Sequence, residues 1–261
     1  MSTSTTSTPM GLLTDKIALV TGAGRGIGAA SARLFAAEGA KVVLTARTET
    51  ELRAVTEEIR AEGGTADYVV CDLADAASVR GAVDTVLSLH GRLDIAFNNA
   101  AVSVPPAPLA DVPEADFDLI LSVNLKGCWL AMAAEIAAIR STAGSGAIVN
   151  NSSVGSLRGN PTLPAYGAAK RAVNSLTESA AVSYGPEGIR VNAVAPGTTM
   201  TEMIKRWVAY EPDLLTRLNA KTPLRRPAEP YEVAEAAAWL LSDRASYISG
   251  VVLSVDGGMQ A

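Results

Sequence analysis

The sequence predicts a doubly wound α/β domain, a parallel sheet of about seven strands with helices on both faces. Three observations carry this reading. Short runs that are apolar throughout recur along the 261 residues, as expected of strands covered on both faces. A longer segment of helical period separates each run from the next. Gly, Pro and Asp mark the junctions.

Ile17–Val20 is the first strand, followed at once by the glycine-rich Thr21–Gly28 and by a helix that stops at Gly39, behind Phe35-Ala-Ala-Glu38. Val42–Leu44 is the second strand and Tyr68–Cys71 the third, after which Asp75 opens a helix toward Leu89. Leu93–Phe97 and Ala147–Asn150 follow as the fourth and fifth. An Ala-rich helix around Tyr166, closed by Gly185-Pro186, leads to Val191–Val194, and Val251–Val255 completes the sheet. The Pro-rich Val104–Pro108 reads as a local surface loop, and no short repeat is present. Residues 13–261 therefore form one domain behind a polar leader, 1–12, expected to be disordered.

Composition excludes several functions. With 48% hydrophobic residues the chain can bury a large core. Its 27 acidic and 22 basic residues give a net charge of -5, and no Lys/Arg run appears, so nucleic acid and anionic membranes are poor partners. A small diffusible ligand fits better. The start of the chain lacks the positive and apolar regions of a signal peptide, and no charge-free apolar run reaches the roughly 18 to 20 residues of a spanning helix. Cys71 and Cys128 are the only cysteines. Neither lies in a C-x-x-C spacing, so both are expected to be buried and reduced, which suits the cytoplasm. His90 is the single histidine, so a multi-histidine metal site is ruled out. Its Leu89-His-Gly91 setting reads as an exposed turn.

Two segments carry chemistry. Tyr166 and Lys170 stand four residues apart in a helical segment and leave the same face. An ammonium beside a phenol favours the phenolate and is expected to lower the tyrosine pKa from about 10. Thr21-Gly-Ala-Gly-Arg-Gly-Ile-Gly28 joins the first strand to the first helix, where glycines let a backbone approach a pyrophosphate at a helix N-terminus.

In the order Thr21-Gly22-x-x-x-Gly26-x-Gly28, Asp72-Leu73, Asn98-Asn-Ala100, Asn124, Ser153, Tyr166-x-x-x-Lys170, Pro196-Gly197 and Val255-Asp-Gly-Gly258, the chain resembles the short-chain dehydrogenase/reductase family from about Lys16 to Gly258. The resemblance implies a Rossmann-type fold with a cofactor half near 16–145, a catalytic and substrate half near 146–261, and a lid at 198–225. Ser153 would hold the substrate oxygen, Tyr166 would exchange its proton, Lys170 would bind the nicotinamide ribose, and Asn124 would anchor a water that resupplies the proton. Ser152 reads as a structural strand-end neighbour. The cofactor would lie along Thr21, Gly22, Gly24, Arg25, Gly26, Ile27 and Gly28, then Arg47, Asp72, Leu73, Asn99 and Ala100, and reach Pro196, Gly197, Thr199 and Thr201. Met203 and Trp207 on the apolar lid would meet the substrate. No metal is called for. Ala101 replaces the family's usual glycine, a change expected to be tolerated where the backbone keeps a negative φ.

Cofactor choice is expected at the end of the second strand, where Ala46-Arg47 stands in place of the acid that binds a ribose 2'-hydroxyl. Arg47, with Arg25, suits a 2'-phosphate and favours NADP(H); NAD(H) would follow if Glu49 or Glu51 turned in to the ribose. The resulting expectation is an NADP(H)-dependent oxidoreductase interconverting a largely hydrophobic ketone or aldehyde and its alcohol. Alternatives are a 3-oxoacyl-carrier-protein or polyketide ketoreductase, an NAD-dependent secondary-alcohol dehydrogenase, and a non-catalytic cofactor-binding regulator. Family members commonly form homotetramers or dimers, here through the Ala-rich helices before strand five and around Tyr166.

Overall fold

The computed structural model describes residues 11–261. Its strands are β1 Ile17–Thr21, β2 Lys41–Ala46, β3 Thr65–Val70, β4 Ile95–Asn98, β5 Gly146–Asn151, β6 Ile189–Pro196 and β7 Val252–Val255. All pair in parallel, in the order β3-β2-β1-β4-β5-β6-β7. Between them run α1 Gly26–Ala37, α2 Glu49–Ala61, α3 Ala76–His90, α4 Glu114–Ile120, α5 Cys128–Thr142, α6 Pro164–Tyr184, α7 Glu202–Tyr210, α8 Leu214–Ala220 and α9 Pro230–Leu241.

The period of two sorts each strand between two cores. Ala18 and Val20 of β1 pack with Ala29 and Phe35 of α1, Leu52 and Ile59 of α2 and Val233 of α9. Ile17 and Leu19 face the opposite way, toward Val83 of α3, Ile136 of α5 and Val173 of α6. The sheet is thus covered on both faces, as its apolar strands require. Asp75 caps α3 by accepting from Ala77 N at 2.9 Å, and Gly39 leaves α1 at φ 93°, which favours glycine.

The topology fixes where the site lies. From β1 the chain moves outward to β2 and β3, then returns to lay β4 on the other side of β1. The carboxyl ends of β1 and β4 therefore bound a crevice, the usual ligand position in such sheets.

Several expectations change. Strand β3 begins at Thr65 and ends before Cys71; as an edge strand it is only half-covered, and its polar start hid it from an apolar pattern. Residues 11 and 12 belong to the domain, with Leu12 N donating to Glu38 Oε2 at 2.6 Å, whereas 1–10 lie outside the described residues. His90 is not an exposed turn residue: it ends α3, largely covered, with Nε2 3.2 Å from Asp67 Oδ2. Glu114–Thr142, continuous through a π-helical stretch, is long and apolar enough to span a membrane by composition, but half of its apolar window is buried inside the domain. Its hydropathy serves the core. Cys71 and Cys128 are buried, free thiols as expected.

Candidate active site

The glycine loop leaves β1 and turns directly into α1. Gly22 and Gly26 adopt φ 65° and 57°, in the left-handed region that glycine enters without strain. A Cβ on Gly22 would stand 2.7 Å from the Ala100 Cα, and one on Gly28 would collide with the Gly22 carbonyl. Arg25 caps α1 without a side-chain hydrogen bond, so the first amides of the helix remain available. An open, positively polarised cradle results, and it fits a pyrophosphate. Gly24 and Ile27 lie within the same turn, with Glu51 against Gly24.

Neighbouring side chains hold this cradle in place. Thr21 Oγ1 accepts from Asn99 N at 3.0 Å and Ala100 N at 3.1 Å, tying β1 to the loop after β4. Asn99 Nδ2 donates to the Thr21 and Gly22 carbonyls. The side-chain amide of Asn99 and the hydroxyl oxygen of Thr21 thus shape the loop from behind. Asp72 accepts from Ala74 N at 3.0 Å, and the Leu73 backbone lies against Gly127, where a Cβ would come within 2.7 Å. Ala101 does not have a positive φ, so its methyl is accommodated.

At the end of β2, Arg47 is exposed and its guanidinium has no ion pair or hydrogen bond among the described residues. The two acids that would compete for a ribose are engaged elsewhere: Glu49 accepts from Tyr68 Oη at 3.1 Å, and Glu51 pairs with Arg25 at 3.3 Å.

The catalytic candidates meet beside the carboxyl end of β5. Ser153 Oγ accepts from Gly155 N at 3.1 Å. Proline at the start of α6 presets the helical φ, and Tyr166 and Lys170 follow on one face. Lys170 Nζ donates to the Asn151 carbonyl at 2.6 Å and lies 5.7 Å from the Tyr166 ring centroid. Burial pushes the phenol up to about 12, opposed by a hydrogen bond with Ser153. Burial also pulls Lys170 down to about 8. The expected lowering of the phenol pKa is therefore not met. Desolvation penalises both charges and outweighs an ammonium held on a backbone carbonyl.

Asn124 sits in the π-helical stretch Leu121–Gly127, buried to 1% exposure. Its side chain is used twice on one residue, accepting from Val102 N and donating to Val102 O, both at 2.8 Å. Ser152 is structural, as read, and bonds to Asn174 Oδ1 at 2.6 Å and Ser156 Oγ at 3.0 Å.

The segment after β6 returns to the glycine loop. Gly197 N donates to Val255 O at 3.0 Å beyond Pro196, Thr199 Oγ1 donates to Gly197 O at 3.2 Å, and the Thr201 methyl would lie 3.3 Å from a Cβ on Gly26. On α7, Met203, Ile204, Trp207 and Val208 are half-buried while Lys205 and Arg206 are exposed.

A family model described as enoyl-(acyl carrier protein) reductase matches residues 22–260. The chain is 47% identical over 248 residues to the A-factor type gamma-butyrolactone 1'-reductase (1S-forming) of Streptomyces virginiae, covering 95% of this chain and 96% of that one. It is 41% identical to the 2,5-dichloro-2,5-cyclohexadiene-1,4-diol dehydrogenase of Sphingobium indicum, over 95% and 98%. A Beutenbergia cavernae structure with NADP at low occupancy superposes with TM-score 0.90 at 36% identity, over 97% of this chain and 99% of that one. The chain belongs to the short-chain dehydrogenase/reductase family. Those two relatives are named as a reductase and a dehydrogenase, and oxidoreduction is the chemistry of the family.

Within this short-chain dehydrogenase/reductase, three site features escaped sequence reasoning. Asn151 offers its carbonyl to Lys170 and its Nδ2 to Asn99 Oδ1 at 2.9 Å, linking Lys170 to the glycine loop. Two consecutive asparagines at the end of an apolar strand were the available signal. Glu135, fully buried on α5, accepts from Asn98 Nδ2 at 2.8 Å; a single acid in an apolar helix marked it. Asn160, in the loop before α6, carried no sequence signal at all.

Proposed function

We propose that this protein is an NADP(H)-dependent reductase that interconverts a small, largely apolar cyclic ketone and its alcohol. The observation that carries this is the convergence of Ser153, Tyr166 and the buried Lys170 beside an uncapped glycine cradle. A bound nicotinamide supplies or accepts the hydride; the protein orients the carbonyl and handles the proton.

Ser153, its oxygen occupied by Gly155 N–H, points its own proton at the substrate oxygen. Tyr166, held at about 12, is a neutral phenol near neutral pH and gives its proton as negative charge gathers on that oxygen. Lys170, near 8, is mostly cationic at pH 7 and steadies the phenolate left behind. Asn124 clamps Val102 and so fixes a residue of the apolar cluster that Tyr166 joins. Met203 and Trp207 present an apolar surface that excludes water when the lid closes.

Arg47, which pairs with no group among the described residues, supports a 2'-phosphate and therefore NADP(H), and the engagement of Glu49 and Glu51 weighs against NAD(H). The lactone and cyclohexadiene-diol names of the relatives support a ring compound as substrate. The carrier-protein alternative calls for a basic docking face. Lys126, Arg158 and Arg171 are scattered, and Arg190 spends its guanidinium on the Leu240, Leu241, Ser242 and Ile248 carbonyls. A cytoplasmic homotetramer is consistent with free buried thiols and with Phe117 and Trp129, exposed at 41% and 49% along the α4–α5 face.

The test is a titration with NADPH and NADH, read by tryptophan fluorescence, followed by turnover of ring ketones. Tighter NADPH binding and turnover are expected. Tighter NADH would replace the cofactor reading, and binding without turnover of any ketone or alcohol would favour the non-catalytic alternative.

A further inference from the structure

We propose that Asn160 reads a second oxygen on the substrate, so that the site prefers carbonyl compounds and alcohols bearing another hydrogen-bond-accepting oxygen near the reacting one. The inference rests on the ring-ketone reading above and adds a recognition element to it.

The amide of Asn160 has a fixed orientation. Its Oδ1 accepts from Leu163 N at 3.1 Å, which assigns oxygen and nitrogen from the hydrogen-bond pattern and leaves Nδ2 on the other side. Nδ2 donates to no group among the described residues. It lies beside the serine: Asn160 Nδ2 and Ser153 Oγ both flank Gly155, 3.0 and 3.4 Å from the point where a Cβ on that residue would stand. Gly155 carries no side chain, so no group of its own comes between the two donors. Gly167, next to Tyr166, keeps the loop against α6, since a Cβ there would lie 3.2 Å from Asn160 Cβ.

The surroundings make this donor selective. Val102 and Val104 pack with Tyr166 in an apolar cluster, and the inner face of α7 is apolar as well. Once the lid covers a substrate, Nδ2 faces an acceptor on that substrate or stays unpaired. An unpaired donor in a closed apolar site is costly, and sites built to hydrogen-bond a substrate group reject analogues that lack it. A monofunctional ketone satisfies Ser153 and Tyr166 only. A lactone, dione or hydroxyketone satisfies Asn160 too.

The test compares kcat/KM with NADPH within two pairs, cyclohexane-1,4-dione against cyclohexanone and 2-acetyl-γ-butyrolactone against acetylcyclopentane. Wild type, Asn160→Asp, Asn160→Leu and Gly155→Ala are compared, with NADPH affinity as the check on folding. Asn160→Asp keeps an oxygen for Leu163 N and removes the donor. Gly155→Ala presses a methyl against both donors, 3.0 Å from Asn160 Nδ2 and 3.4 Å from Ser153 Oγ, and leaves the amide itself in the chain. The wild type is expected to favour the doubly oxygenated member of each pair, and that ratio is expected to fall about tenfold or more in the Asn160 variants and to shrink in Gly155→Ala. Because the readout is a change in ratio, differences in intrinsic ketone reactivity cancel. A ratio unchanged while both rates fall together would make Asn160 a structural loop residue and overturn the inference while leaving the reductase reading intact. Failure of the wild type to turn over any of the four compounds would remove the ring-ketone reading, and this inference with it.

Discussion

Replacing Glu135 by glutamine should make the protein less sensitive to alkali, by an amount set by its surroundings. Glu135 is fully buried on α5, and only Oε2 has a partner, Asn98 Nδ2. Burial raises its pKa from 4.5 to about 7, with the Asn98 bond opposing. In the unfolded chain the carboxyl titrates near its ordinary value. Over the interval between the two values the folded protein therefore holds a proton that the unfolded one has released. Stability is full below the unfolded value and declines as pH rises through the folded one, levelling off above it. At about 1.4 kcal/mol per pK unit, the shift corresponds to about 3 kcal/mol. Glutamine can keep the oxygen that accepts from Asn98 and does not ionise. Urea unfolding of wild type and Glu135→Gln at pH 5 and pH 8.5 measures the difference. The variant should gain most of the roughly 3 kcal/mol relative to wild type on going from the lower to the higher pH. Parallel pH dependence of the two proteins would show that the carboxyl is not held protonated and would refute the reasoning.

Tyr166→Phe should reduce turnover by about 10³-fold while NADPH affinity stays within about twofold, since it removes the proton donor and little packing; stopped-flow turnover beside a fluorescence titration separates the two effects. With the phenol near 12, alcohol oxidation, which needs the phenolate, should climb with pH and still be rising at pH 9, whereas carbonyl reduction should not share that climb. A flat oxidation profile would exclude Tyr166 as the base. Arg47→Asp should weaken NADPH about ten- to a hundredfold more than NADH, and equal losses would remove Arg47 as the phosphate contact. Gly28→Ala forces a methyl against the Gly22 carbonyl and should both lower the melting temperature and abolish NADPH binding; unchanged affinity in calorimetry would show that the tight turn is dispensable.

The sheet was legible because burial on both faces writes long apolar runs, and β1, β2, β5 and β6 fall where those runs are. β3 was misplaced at both ends because an edge strand is held by backbone pairing to β2, Lys41 to Thr65 and Val43 to Asp67, which leaves no mark on side-chain polarity. The candidate set was legible for a related reason. Ser153, Tyr166 and Lys170 stand at the helical and strand-end spacings that the proposed chemistry calls for, and the glycines where backbone geometry requires them.

What the sequence by itself determined was therefore the fold class, the glycine cradle and the candidates for the reacting side chains. The environment of those side chains was decided only by the tertiary structure. An ammonium four residues from a phenol suggested a lowered pKa, but packing sent Lys170 to the Asn151 carbonyl and buried the phenol, so desolvation prevails. Asn160 and Ser153 are seven positions apart in the chain, with nothing in their spacing to join them, and they come together on either side of Gly155, which has no side chain to hold them off. Interaction energies depend on distance and on the exclusion of water, and both are set by long-range packing.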